Sequence, residues 1–340
     1  IPPKPSIQMT KPMSLPDFAR FRTRFASVVA LSAALSISPS LPAIEASSLP
    51  DMGDASASVL TPEREQRIGK AMWRQLRQAG RIIDDPELAG WVRSLGYRLL
   101  AAGQYGPREF TFFLVDAPTI NAFAMPGGYI GIHAGLINAT QNEDEVAAVM
   151  AHEIAHVTQN HMSRGYEKAN RMNLPMTAAM IAAILLGAQN PELAEATIAA
   201  TTAGAAQMQL DFTRAHEKEA DRLGIDTLAA AGYDPHSMAG FFQKLEQKSR
   251  YYGSGVPEFL RTHPVNESRI ADAEGRARVF PDTSSRPQLD YWTTKARLQV
   301  HLSRDPAELA RRLRSRLNAD RSNNPQADRF TLALALRESG

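Results

Sequence analysis

The chain has 340 residues, of which 44% are hydrophobic and 22% charged, which suffices for one large hydrophobic core and a smaller attached region. The formal net charge of +2 at pH 7 and the lack of a long basic block exclude the charge pattern typical of nucleic-acid-binding proteins. Cysteine is absent, which excludes disulfides, thiolate metal ligands and a cysteine nucleophile.

Residues 1–46 contain the pattern of a secretory signal peptide. Three arginines between positions 20 and 24 precede an apolar stretch, 25–37, and small and turn residues follow as far as Ala46, where we expect cleavage. We therefore expect a periplasmic protein. An uncleaved membrane anchor is the alternative, although the apolar stretch is short for a bilayer span. The Ser-, Asp- and Ala-rich residues 47–60 predict a flexible leader.

The folded part is predicted to start with two helices and a small sheet. Helices are expected over residues 61–80 and 85–103, because each segment opens with a capping residue and a proline and keeps apolar residues on one face. Residues 110–115 and 129–133 are mainly β-branched or aromatic, and the second segment follows a Pro-Gly-Gly turn, so they predict two strands. The fold class is therefore α+β, mainly helical.

The motif H-E-x-x-H occurs as His152, Glu153 and His156 in a predicted helix from Asn142 to about His161. Positions four apart on a helix lie one above the other, so both imidazoles can bind one metal ion with Glu153 beside them. Zinc held by two histidines and a carboxylate keeps a position for water, whose proton the glutamate can take. Two surface histidines with a solvated glutamate are the alternative. His161 is expected on the opposite helix face.

A zinc site of this type needs a third protein ligand, for which the segment 214–221 offers acidic residues. On a helix, Glu217 and Asp221 share a face with small and apolar residues, whereas Glu219 leans outward. A carboxylate on a buried face is costly unless it is paired or bound to metal. This favours Glu217 as the ligand and Asp221 as the acceptor for an imidazole N–H. The alternative is an ordinary carboxylate paired with Lys or Arg.

A predicted helical hairpin follows the motif. It consists of the apolar run 176–188 and an Ala- and Thr-rich stretch that ends at Leu210, and it could serve as a lid, pack in the core or contact the membrane. A separate helix is expected over 212–231, and the next one opens at Asp234.

Residues 281–340 predict a separate helical segment. It contains three short helical stretches, at about 289–302, 306–318 and 326–338, which are typical of the start of a helical array. A further helix would be needed to cover them, so we expect that this array is truncated at the C-terminus.

These motifs together resemble the M48 family of zinc metallopeptidases, in its soluble periplasmic branch. The resemblance covers about residues 61–276. Its matching segments, in the family's order, are Asn121 to Ile130, the H-E-x-x-H motif, Glu217-x-x-x-Asp221, and Thr262-His263-Pro264 followed by Arg269.

The resemblance implies a gluzincin-type metallopeptidase domain over residues 61–280. In the family, two histidines and the glutamate that opens E-x-x-x-D hold one zinc ion, and these positions match His152, His156 and Glu217. The family's general base matches Glu153. For the helices after position 281, the resemblance implies the beginning of a tetratricopeptide-repeat region.

His263 has two predicted functional roles. If its imidazole faces the metal, it could donate a hydrogen bond to the oxyanion of the tetrahedral intermediate, or it could occupy the open coordination position and block water. A loop histidine bonded to the backbone beside Pro264 is the structural alternative.

The strand 129–133 has a predicted role in substrate binding. If it is an edge strand that lines the cleft, the backbone of Tyr129, Ile130, Gly131 and Ile132 would pair with an extended substrate, and an interior strand is the alternative. The resemblance points to unfolded or misassembled outer-membrane β-barrel proteins as substrates, with the C-terminal helices contacting the outer-membrane assembly machinery. The predicted function is a periplasmic zinc endopeptidase. The alternatives are an assembly factor with a latent protease site beneath the hairpin, and a membrane-embedded peptidase.

Overall fold

The computed structural model describes residues 61–103, 105–171, 191–252, 257–281, 283 and 288–340. The predicted signal peptide, the leader and the first arm of the predicted hairpin lie outside these residues. Within the described ranges, no helix combines the length and the apolar character that a bilayer span requires.

Helices make up most of the described chain. In chain order they are α1 (Pro62–Gln78), α2 (Pro86–Ala102), α3 (Ala134–Ala139), α4 (Glu143–Thr158), α5 (Pro191–Ala230), α6 (Ser237–Tyr252), α7 (Glu258–Thr262), α8 (Glu267–Ala277), α9 (Leu289–His301), α10 (Pro306–Asn318) and α11 (Pro325–Glu338). Residues 161–171 are also helical. The predicted fold class, mainly helical with a small sheet, is confirmed.

The sheet has three strands in the order β1-β3-β2, where β1 is Thr111–Val115, β2 is Ala122–Met125 and β3 is Tyr129–His133. Strand β3 pairs in parallel with β1 and antiparallel with β2, and all five of its residues are buried. The prediction that Tyr129 to Ile132 form an edge strand is therefore wrong. Both edges of β3 are already occupied by neighbouring strands, so its backbone groups cannot pair with a substrate.

Strand β2 is folded back onto β3 by the Pro126–Gly128 turn. Gly127 and Gly128 have φ of 74° and 78°, a left-handed conformation that glycine adopts without steric cost. Helix α1 packs directly on this turn. The Gln66 side chain donates a hydrogen bond to the Gly127 carbonyl over 2.8 Å, and a methyl group at Gly69 would lie 1.9 Å from the Pro126 carbonyl oxygen.

Helix α4 lies in the centre of the domain. The Asn142 side chain accepts from the Glu145 N–H, and Glu145 in turn accepts from the Gln141 N–H, so the predicted capping start is confirmed. Residues from Glu143 to Ala155 are nearly all buried, because the helix contacts the sheet on one side and α5 on the other.

The end of α4 differs from the prediction. The helix stops at Thr158, Asn160 adopts a left-handed φ of 53°, and the chain turns before the helical residues 161–171 begin. His161 therefore does not continue the helix of the motif. The turn redirects its side chain back towards His156, and the prediction that His161 lies on the opposite face is wrong.

Helix α5 is longer than predicted. The expected second arm of the hairpin and the expected helix over 212–231 are one continuous helix, because the residues around Asp211 include no proline or glycine that would break helical geometry. The helix ends at Ala230, and Gly232 follows with φ of 72°, as the predicted stop requires.

The C-terminal helices continue from the same core. Tyr291 of α9 is buried, its ring centroid lies 6.3 Å from that of Trp91, and its hydroxyl lies 3.0 Å from the Thr140 hydroxyl. Helices α10 and α11 pack against each other, and α11 also packs against α9.

Candidate metal centre

Four side chains from three parts of the fold converge in one buried cluster. Helix α4 provides His152 and His156, α5 provides Glu217, and His263 follows α7. Each side chain offers one nitrogen or oxygen atom, and these four atoms all lie within 4.8 Å of one another. Among the described residues, this is the group of histidine and carboxylate side chains able to hold a metal ion.

The spacing of these atoms fits a divalent metal ion. His152 Nε2 lies 3.0 Å from His156 Nε2 and 3.4 Å from Glu217 Oε2, and His156 Nε2 lies 3.5 Å from Glu217 Oε1. Tetrahedral zinc with bonds of about 2.0 to 2.1 Å keeps its ligand atoms about 3.3 Å apart. Two imidazole nitrogens and a carboxylate oxygen are also the donor types that zinc prefers.

Glu153 lies beside this cluster and faces an open cleft. Its side chain is 1% exposed, and its Oε1 makes no hydrogen bond to a described residue. The nearest imidazole nitrogen is His263 Nε2, at 3.4 Å. The cleft is lined by Phe123, Ala124, Met125, Glu153, His156 and His263, among others. A buried carboxylate that makes no protein hydrogen bond is well placed to accept a proton from a molecule in this cleft.

Asp221, the predicted partner of His152, lies beside it, with its Oδ1 3.0 Å from His152 Nδ1. Helical spacing places Asp221 one turn after Glu217, so the two carboxylates approach the same histidine from one helix. With Nδ1 against this carboxylate, Nε2 of His152 lies among the other donor atoms.

Arg269 of α8 compensates the charge of both carboxylates. Its guanidinium makes two hydrogen bonds of 2.7 Å to Asp221 and lies 2.9 Å from Glu217 Oε2, and it also donates to the Pro264 carbonyl. The side chain is 2% exposed. Although burial opposes the charge, the two carboxylates raise the pKa of Arg269 above its usual value.

The surroundings of the two histidines shift their pKa values in opposite directions. Burial alone would lower the pKa of His152, but hydrogen bonding to Asp221 and Glu217 raises it to about 9. Burial raises the pKa of Glu217, whereas the contacts with His152 and His263 lower it. The net result is a pKa well below the usual value of a glutamate. The pKa of His156 is lowered well below its usual value by burial and by His152. The cluster therefore has a negative carboxylate ligand that favours a cation.

The structure brings together the side chains predicted for the site, except for the substrate strand. His152, His156, Glu217, Asp221 and His263 all meet, whereas β3 lies inside the sheet. The strand along the cleft is β2, which the sequence analysis did not identify because Ala-Phe-Ala-Met has weak strand character.

Two further residues of the site were missed. Arg269 was noted only as part of a motif, because nothing local indicates that it reaches back to Asp221. His161 lies with its Nδ1 2.9 Å from His156 Nδ1. The signal that could have placed His161 correctly is Asn160, since asparagine is enriched in the left-handed conformation that reverses the chain there.

Comparison with known proteins identifies relatives over most of the chain. The sequence model of Peptidase family M48 matches residues 86–277. The chain is 44% identical over 263 residues to a putative beta-barrel assembly-enhancing protease of Vibrio cholerae, an alignment that covers 76% of this chain and 54% of that protein. It is 40% identical over 273 residues to the beta-barrel assembly-enhancing protease of Escherichia coli, covering 79% of this chain and 56% of that protein.

A more distant relative is the mitochondrial metalloendopeptidase OMA1 of Arabidopsis thaliana. The two are 32% identical over 156 residues, which are 46% of this chain and 29% of that protein. The chain thus spans about half the length of the bacterial relatives it matches. The resemblance inferred from the sequence motifs is confirmed, and the chain belongs to peptidase family M48, a family of metal-dependent peptidases.

Proposed function

We propose that this protein is a zinc endopeptidase of the bacterial cell envelope, acting in the periplasm. The observation that carries the proposal is the convergence of His152, His156 and Glu217, whose donor atoms lie 3.0 to 3.5 Å apart beside Glu153. These three side chains would hold the ion. The names of the bacterial relatives support a role in the quality control of outer-membrane proteins.

Zinc held at this site would supply a Lewis acid that lowers the pKa of water and polarises the scissile carbonyl. Glu153 takes a proton from the attacking water, because its Oε1 makes no hydrogen bond to a described residue and its side chain lines the cleft. It then donates this proton to the leaving amine nitrogen as the peptide bond breaks, so one water yields one carboxylic acid and one amine. Asp221 and Arg269 keep His152 and Glu217 in position.

The Glu153→Gln variant tests this mechanism. The amide has nearly the same shape but cannot accept the proton, so we expect zinc content equal to that of the unmodified protein and a loss of roughly 10²- to 10⁴-fold in proteolysis. Metal analysis and hydrolysis of casein measure the two quantities. Glu246→Gln, at a partly exposed glutamate of α6 that lies outside the cluster, is the matched control. Full peptidase activity in Glu153→Gln with normal zinc content would refute the assignment of the base.

Strand β2 is the proposed binding edge for the substrate. In the described part of the sheet it pairs only with β3, and its residues Phe123, Ala124 and Met125 line the cleft. An extended peptide can therefore add to the sheet beside the metal centre. Unfolded outer-membrane β-strands have this extended character, which agrees with the relatives' names. We expect cleavage of an unfolded outer-membrane β-barrel protein and no cleavage of the same protein once folded in detergent.

The position of His263 indicates a second state of the proposed enzyme, in which this imidazole blocks the metal site. Its Nδ1 lies 3.0 Å from Glu217 Oε1 and 3.2 Å from His152 Nε2, so it stands among the donor atoms where water would be needed. This position supports the blocking role over the role as oxyanion donor. His263→Ala should then increase the rate of casein hydrolysis. A loss of roughly 10²- to 10³-fold would instead support oxyanion stabilisation.

A restrained site also allows a function that does not require proteolysis. The protein could assist outer-membrane assembly as a binding factor, with the C-terminal helices α9 to α11 contacting the assembly machinery. The Glu153→Gln variant distinguishes the two functions in cells. If it still supports outer-membrane protein assembly at the normal level, binding is the main function, and if assembly fails, proteolysis is required.

A further inference from the structure

The two histidines of the H-E-x-x-H motif differ in the group that contacts Nδ1, the ring nitrogen on the side away from the cluster. His152 Nδ1 lies against the carboxylate of Asp221. His156 Nδ1 lies instead 2.9 Å from a third imidazole nitrogen, Nδ1 of His161. Such a contact requires that one nitrogen carries a proton and that the other accepts it.

His161 is held firmly in this position. It is the first of the helical residues 161–171, it is 5% exposed, and its ring stacks on that of His216 with centroids 4.1 Å apart and an interplanar angle of 7°. On the far side of the ring, Nε2 lies 3.2 Å from Glu219 Oε2. Arg164 donates to the same carboxylate oxygen over 3.1 Å.

If His156 binds metal, as the proposed function requires, these contacts determine which ring nitrogen of each histidine carries the proton. A histidine that binds metal through Nε2 carries its proton on Nδ1. His161 Nδ1 must then accept this proton, which places the proton of His161 on Nε2. There it points at Glu219 Oε2, an acceptor held by Arg164. With the protons in these positions, each contact from His156 to Glu219 has one donor and one acceptor.

We propose that His161 is a positioning residue for the metal ligand His156. It accepts the Nδ1 proton of His156, and Glu219 sets the tautomer of His161 that makes this possible. His156 thus reaches its carboxylate through an intervening imidazole, whereas His152 contacts its carboxylate directly. Removal of such an outer partner of a metal-binding histidine lowers metal affinity 10- to 100-fold.

Zinc affinity of two His161 variants tests the proposal, measured by competition with a zinc-binding dye. His161→Phe keeps an aromatic ring but removes the acceptor, so we expect a 10- to 100-fold loss of zinc affinity. His161→Asn places an amide oxygen where Nδ1 stood, so we expect the affinity to recover to within a few-fold of the unmodified protein. His301→Phe, at a half-exposed histidine of α9, controls for the loss of an imidazole.

The outcomes separate this proposal from the assignment of the metal site. An affinity of His161→Phe within twofold of the unmodified protein would overturn the role of His161, provided that Glu217→Gln still loses affinity. If the unmodified protein and Glu217→Gln bind zinc equally weakly, the metal site itself is wrong. An equal loss in His161→Phe and His161→Asn overturns the acceptor role.

The tautomer can be observed directly if His161→Phe fails to fold. Long-range proton–nitrogen correlation spectra of the ¹⁵N-histidine-labelled, zinc-loaded protein distinguish a ring protonated at Nδ1 from one protonated at Nε2. We expect the Nε2-protonated tautomer for His161 and the Nδ1-protonated tautomer for His156. A proton on His161 Nδ1 would overturn the proposal.

Discussion

Helices α5 and α8 are joined by arginine–aspartate pairs on an inner and an outer face, and the two faces differ mainly in their exposure to solvent. On the inner face, Arg269 and Asp221 are each 2% exposed. On the outer face, Arg222 binds Asp272 with hydrogen bonds of 2.8 and 2.9 Å, and Arg276 binds Asp226 in the same two-pronged geometry. These outer side chains are 27% to 56% exposed.

The same chemical pair therefore has two different roles in one interface. An exposed pair contributes about 0.2 to 1 kcal/mol because water and salt screen it. Breaking a buried pair costs about 3 to 5 kcal/mol, because the remaining charge is left without compensation. Only the inner pair also contacts His152 and Glu217, so only its loss reaches the metal centre.

The largest expected effect comes from removing the inner arginine. Arg269→Met leaves the buried carboxylates of Asp221 and Glu217 without their cation, so the free energy of unfolding should fall by about 3 to 5 kcal/mol in the presence of a chelator. Urea unfolding followed by circular dichroism measures this change. A loss below about 1 kcal/mol would show that burial does not distinguish the two faces.

Removal of zinc should affect stability next most strongly. Zinc that binds only the folded chain stabilises it by about 2.7 kcal/mol at a concentration 100 times its Kd. We expect a chelator to abolish this increment in the unmodified protein and equally in Arg222→Met, because the outer face does not contact the site. Thermal unfolding with and without zinc measures both. A smaller zinc increment in Arg222→Met would contradict the separation of the faces.

Two aspartate-to-asparagine variants compare the faces by metal affinity alone. Asp221→Asn keeps the shape of the side chain but weakens the acceptor for His152, so zinc affinity should fall 10- to 100-fold. Asp272→Asn is the matched change on the outer face and should leave zinc affinity unchanged. Isothermal titration with zinc gives both values. Equal affinities for the two variants would mean that Asp221 does not position His152.

The smallest expected effect is at the outer pair. Hydrogen bonding to Arg222 lowers the pKa of Asp272 below its usual value of 3.8. Because the folded-state pKa is depressed, the stabilisation by this pair is fully present above pH 3.8 and is lost as the pH falls through the lowered pKa. Arg222→Met should reduce the free energy of unfolding at pH 7 by about 0.2 to 1 kcal/mol. Persistence of this difference in 1 M salt would contradict the screening argument.

Local patterns predicted the centre of the site. The spacing of His152 and His156 and the one-turn spacing of Glu217 and Asp221 depend only on helical geometry, so they could be read from the sequence. The role of Arg269 as the partner of Asp221 could not be predicted in this way. Its partner Asp221 lies 48 positions away, and that contact depends on how α8 packs against α5.

The two predicted strands are present as β1 and β3, but the third strand, the order of the strands in the sheet and the turn at Asn160 were not predicted. Strand β3 has the stronger strand residues, but its central place depends on β2, whose four residues alone predict little. A left-handed residue at Asn160 changes the direction of the chain and brings His161 to the cluster. One backbone conformation thus decides whether a histidine belongs to the site, and helical periodicity does not contain that information.

The contact between α1 and the turn after β2 limits how far the chain can be shortened at its N-terminal side. The family match begins at residue 86, which would place α1 outside the catalytic unit. Yet Gln66 holds the Gly127 carbonyl, and Glu65 accepts a hydrogen bond from Ser163 and lines the cleft. A recombinant fragment that starts at the family boundary would lose the support beneath the cleft wall. A minimal peptidase should therefore start no later than Thr61.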